Sequence, residues 1–106
     1  MTAKKAERLC RQKLEELLNQ YGAELVEFIY LHKCFGNAEV RFIYKGTEQW
    51  FGIDRWDLWY NHKRVWMSSC FDKNDKKRDT FAVLLNLIKE FFETGDVKKK
   101  YKYDWE

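Results

Sequence analysis

A chain of 106 residues is enough for one domain with its own core, burying about 60 to 70% of the surface that its unfolded form exposes. Its 20 basic and 17 acidic side chains leave a net charge of +3, spread evenly along the chain, which falls short of the strongly basic field of a dedicated nucleic-acid binder. Three widely spaced cysteines without a Cys-x-x-Cys pair, and no apolar run near the ~18 to 20 residues of a membrane span, exclude a disulfide scaffold and a spanning helix.

The expectation is one soluble cytoplasmic domain, residues 1–106, with no membrane association and no signal peptide, since Lys4, Lys5, Arg8 and Arg11 precede no continuous apolar segment. Aromatics make up 18% of the chain, with five Trp, six Tyr and eight Phe, about twice the ordinary share. Such residues fill small cores and also anchor interfaces.

In residues 3–21, Ala6, Cys10, Leu14, Leu17, Leu18 and Tyr21 recur at steps of three and four, which predicts an amphipathic helix with Thr2 as N-cap and Gly22 at its end. Lys4, Arg8 and Arg11 share a face at the end where the helix macrodipole prefers anions. They are candidates for touching phosphate or an acidic partner; the alternative is a solvated helix end with Glu7 and Glu15 in local pairs with Arg11.

Residues 25–35 are apolar on both alternating faces, Leu25, Ile29 and Leu31 on one and Val26, Phe28 and Tyr30 on the other. Gly36-Asn37 supplies a turn: a two-residue connection sets Leu31 opposite Phe42, and a three-residue connection sets Tyr30 there. The clearest signal follows. Ala38, Val40, Phe42 and Tyr44 alternate with Glu39, Arg41, Ile43 and Lys45, and after Gly46 the alternation resumes with Gln49, Phe51 and Ile53 against Glu48, Trp50 and Gly52. A two-residue turn at Lys45-Gly46 pairs Val40 with Phe51, Phe42 with Gln49 and Ala38 with Ile53 on a core face, and Arg41 with Trp50 on an outer face. A cation–π contact between Arg41 and Trp50 is expected there.

Residues 54–62 read two ways, as a single helical turn capped by Asp54 or as more sheet with Asn61-His62 at a turn. A strand is predicted over 64–71, where Val65 and Met67 alternate with Trp66 and Ser68. The charged loop 72–79 lacks the glycine and the terminal glutamate of a calcium loop. Residues 79–94 form a second helix with Asp79 as N-cap, a wide stripe of Phe81, Leu84, Leu85, Ile88, Phe91 and Phe92, and Gly95 as its stop. In the tail, 96–106, Val97, Tyr101, Tyr103 and Trp105 alternate with Lys98, Lys100 and Lys102, so that it can serve as a lysine-guarded edge strand or lie across the outer face.

The fold class that follows is α+β: an antiparallel sheet of four strands within 24–71, five if the tail 96–106 joins as an edge strand, with an N-terminal and a C-terminal helix packed on one face. In outline this order resembles the double-stranded RNA-binding domain. The basic run of that domain's last helix is represented here only by Lys76, Lys77 and Arg78, diluted by Asp75 and Asp79.

Catalytic chemistry finds no foothold in the sequence. His32 and Cys34, two apart on a strand, are short of the four ligands of a structural zinc site, and Cys70 with His62 has no orienting third group. No glycine-rich phosphate loop occurs. The expectation is a non-catalytic protein without cofactor or metal. Its partner-binding residues are expected to be Arg41, Ile43, Trp50, Trp56, Trp66, Tyr101 and Tyr103, engaging or inhibiting a protein partner, with self-association open. The alternative is a nucleic-acid-binding module using Lys4, Arg8 and Arg11 with Lys98, Lys100 and Lys102.

Overall fold

The computed structural model describes residues 2–31, 37–55, 57–66 and 80–97. They form helix α1 (Ala3–Gln20), strands β1 (Glu24–Leu31), β2 (Asn37–Tyr44), β3 (Thr47–Asp54), β4 (Asp57–Tyr60) and β5 (Lys63–Trp66), and helix α2 (Thr80–Thr94). The five strands make one antiparallel sheet in chain order, and the class is α+β.

The start and stop of α1 follow from its caps. The Thr2 side chain accepts a hydrogen bond from the Lys5 N–H at 3.2 Å. At the other end Gly22, at φ +71°, lets its own N–H reach the Asn19 carbonyl while the Ala23 N–H reaches that of Leu18, a Schellman closure. Helix α2 stops in a related way: Gly95 takes φ +81° and donates to the Phe91 carbonyl at 2.7 Å. Asp79, expected as the N-cap of α2, lies outside the described residues.

The hairpin β2–β3 has the expected register throughout, with Val40 on Phe51, Phe42 on Gln49, Ala38 on Ile53 and Arg41 on Trp50. Lys45 and Gly46 both adopt positive φ, which is the twist a two-residue hairpin turn requires. Strand β1 departs from both expected registers, because Leu25 faces Phe42 and Tyr30 faces Ala38. Leu31 pairs with Asn37, so the paired positions are farther apart in sequence than a two- or three-residue turn allows. A bulge between Leu25 and Glu27 also changes the faces: Leu25 joins Phe28 and Tyr30 against the core, while Ile29 and Leu31 point the other way.

Of the two readings of 54–62 the sheet prevails. Asp57–Tyr60 forms the short strand β4, and Asn61 and His62, at φ +47° and +68°, make the turn into β5. The fifth strand therefore comes from this segment, and the tail beyond Val97 lies outside the described residues, as do Met67 to Phe71 of the strand expected over 64–71.

Both helices cover one face. Leu14 and Leu18 of α1 and Phe81, Leu84, Leu87, Ile88, Phe91 and Phe92 of α2 form one buried cluster with Val40, Phe42, Phe51, Ile53 and Leu58 of the sheet. Phe42 stacks on Phe51 at 5.5 Å between ring centroids and meets Phe92 at 5.4 Å, while Tyr21 closes the end of α1 by stacking on Phe92 at 4.5 Å. Leu87 is buried and Leu85 only half so, which turns the stripe of α2 slightly from its expected centre.

Candidate functional site

With every helix contact on one side, the other face of the sheet holds what alternates away from the core: Glu27, Ile29 and Leu31 on β1, Glu39, Arg41 and Ile43 on β2, Glu48, Trp50, Gly52 and Asp54 on β3, Asp57 and Trp59 on β4. At its centre is Gly52. A Cβ there would stand 3.3 Å from Cζ2 and Cη2 of Trp50 and 3.4 Å from the Ala38 carbonyl oxygen, so the missing side chain is what lets the indole lie along the strand. Gly52 pairs with Glu39 on one side and Trp59 on the other.

The result is a recess of about 240 Å³ over Gly52, bounded by Trp50, Trp59, His62, Glu39 and Asp54. It is smaller than the ~300 to 1,000 Å³ typical of small-molecule sites, and fits one side chain better than a whole substrate. A neighbouring depression of about 370 Å³ shares Glu39 and Asp54 and continues to Ile29 and Leu31.

Two asparagines brace the recess at opposite ends of β3. The Asn61 N–H donates to the Trp50 carbonyl at 2.8 Å, its Oδ1 accepts from the Trp50 N–H at 2.8 Å, and its Nδ2 donates to Oε1 of the buried Gln49 at 2.8 Å. The turn is thereby held against β3, and the His62 ring stacks on Trp50 at 4.6 Å with the planes 11° apart. At the other end Asn37 donates from Nδ2 to Asp54 Oδ1 at 2.9 Å and accepts from the Arg55 N–H at 2.8 Å. Arg55 sits at φ +51°, a conformation this clamp supports.

The expected contact of Arg41 with the Trp50 ring is replaced by ion pairs. Arg41 lies opposite Trp50 in register, but its guanidinium bonds to the Glu27 carboxylate and reaches Glu48 at 3.2 Å. The Glu27 hydrogen bond and charge, with a smaller contribution from Glu48, hold its pKa above the ordinary arginine range. Carboxylates on both neighbouring strands outcompete a neutral ring for an exposed cation. Arg64 likewise pairs with Asp57 at 3.5 Å and stands 6.0 Å over the ring of Trp59, a tryptophan outside the expected partner-binding set.

Of the other expected partner-binding residues, Ile43 is exposed on this face, and the backbone of Trp66 closes β5. Trp56, Tyr101 and Tyr103 lie outside the described residues, as do His32, Cys34, Cys70 and the tail lysines Lys98, Lys100 and Lys102. On α1, Lys4, Glu7, Arg8 and Arg11 line a shallow depression. Arg11 is committed within the molecule, pairing with Glu7 at 3.6 Å, donating to the Phe28 carbonyl at 3.5 Å and covering the Phe28 ring at 5.2 Å. Its side chain nonetheless stays 40% exposed, so it remains accessible within the expected basic face.

Gly52, Trp59, His62, Glu39 and Asp54 are not among the partner-binding residues expected from sequence. A glycine inside an otherwise regular strand pattern was the available signal, since it marks close approach by another group. No helix among the described residues is long and apolar enough to cross a membrane. No family model, no curated protein and no solved structure matches this chain.

Proposed function

We propose that this chain is a small non-catalytic binding module that engages a protein partner, and can inhibit it by doing so, through the outer face of the sheet. The carrying observation is a tryptophan-lined recess that adjoins Ile29 and Leu31, 39% and 48% exposed, with Ile43 exposed farther along the same face. Tryptophan with neighbouring apolar and arginine groups is the composition of interface anchors. The acidic groups of this face, Glu27, Glu39, Glu48, Asp54 and Asp57 against Arg41 and Arg64, speak for a protein and against a polyanion such as nucleic acid.

The test is co-purification from the native cell with nuclease treatment, followed by mass spectrometry. The expected result is a protein that stays bound after nuclease and is lost with Trp50→Ala. Recovery of RNA or DNA alone, released at moderate salt, contradicts the reading.

A further inference from the structure

Charge bookkeeping across the outer face is uneven. Glu27 and Glu48 share Arg41, and Asp57 has Arg64. Among the described residues, Glu39 and Asp54 have no basic side chain within salt-bridge distance, although Asp54 accepts the Asn37 amide hydrogen bond. These two carboxylates wall the recess together with the Trp50 and Trp59 indoles and the His62 imidazole, which is stacked on Trp50. Two carboxylates without a basic partner among the described residues, beside aromatic rings over a bare glycine, form a receptor for a cation carried on an apolar stem.

Resting on the binding function proposed above, we propose that the recess over Gly52 receives a lysine or arginine side chain of a protein partner. The methylene stem lies against Trp50 and Trp59, and the charged head meets Glu39 and Asp54. Long basic side chains bury their stems on apolar surface while the charge stays solvated or paired, and indole faces attract cations. The adjoining depression shares both carboxylates and runs to Ile29 and Leu31, so the segment that supplies the cation also places an apolar residue there.

Titration of the full chain with acetylated, amidated Gly-Gly-Lys-Gly-Gly, followed by tryptophan fluorescence and the indole N–H resonances, reads this out. Binding in the range of about 1 mM is expected, with shifts of Trp50 and Trp59. Norleucine in place of lysine retains the stem without the charge and should bind about tenfold more weakly. Glu39→Gln alone, and Glu39→Gln with Asp54→Asn, should each lower lysine-peptide affinity, the double variant by about tenfold.

Equal binding of the norleucine peptide, unchanged affinity in the double variant, or absence of any lysine-dependent shift overturns the proposal. A full chain with Lys98, Lys100 and Lys102 all changed to Gln that binds the peptide about tenfold more tightly also overturns it, because the occupant is then the chain's own tail. If Trp50→Ala abolishes capture of the cellular partner and the carboxylate variants do not, the cation site fails while the binding face stands.

Discussion

At the scale of single residues, Asn61 does more than its place in a turn requires. Its φ of +47° is one that asparagine tolerates better than most side chains, and its three hydrogen bonds to Trp50 and Gln49 extend the β3–β4 ladder by one rung. Asn61→Ala should cost about 1 to 3 kcal/mol by urea denaturation, since it leaves the buried Gln49 amide short of a partner and strains the turn. Asn61→Gly removes the strain but not the lost bonds, so a loss as large as that of alanine assigns the effect to the hydrogen bonds. A loss near zero in both would show that the turn holds without them. Next to it, burial pushes the Tyr60 phenol above its ordinary value and the charge of Asp96 adds to this, against a smaller opposing hydrogen bond with Asn61. A folded pKa raised above the unfolded one means that this contribution to stability is full below about pH 10 and is lost as pH rises through the raised value. Tyr60→Phe should therefore flatten the alkaline fall of the urea midpoint, and an unchanged fall would show that other groups cause it.

At the scale of elements, the β2–β3 hairpin sets everything else, because its strict alternation commits each residue to one side. Phe42 is fully buried, stacked on Phe51 and in tilted contact with Phe91 and Phe92 of α2. Phe42→Ala should cost about 3 to 5 kcal/mol, measured by chemical denaturation, as large-to-small changes in closed cores do. A cost under about 0.5 kcal/mol would mean that the core lies elsewhere. The short β4 shows the opposite behaviour. Four residues carry too little pattern to declare a strand, and Asp57–Tyr60 becomes one because β3 offers an open edge. Asn37 holds the end of β3 at Asp54 and Arg55, and Asn61 holds the turn after β4 against Trp50.

At the scale of the whole molecule, the sheet has one face closed by helices and one face left with a recess, so the same kind of substitution should have different consequences on the two sides. Trp50→Ala, unlike Phe42→Ala, should leave thermal stability within about 2 kcal/mol of the parent while abolishing partner capture. A loss of ~3 kcal/mol or more would make Trp50 a structural residue and place the binding surface elsewhere.

From its residues alone the chain declared an α+β class, the two helices with most of their caps, and the hairpin down to its pairing of Arg41 with Trp50, because those features depend on period, turn chemistry and near neighbours in sequence. The register of β1 was not legible there. A bulge at Val26 is chosen by how Leu25, Phe28 and Tyr30 pack on the core, which no local pattern records. Only the tertiary structure decided that Arg41 goes to Glu27 and Glu48 while Trp50 takes His62, since each depends on which carboxylate or ring stands on the adjacent strand. The recess itself exists because Gly52 falls between Glu39 and Trp59 across three strands, a juxtaposition made by strand pairing and invisible along the chain.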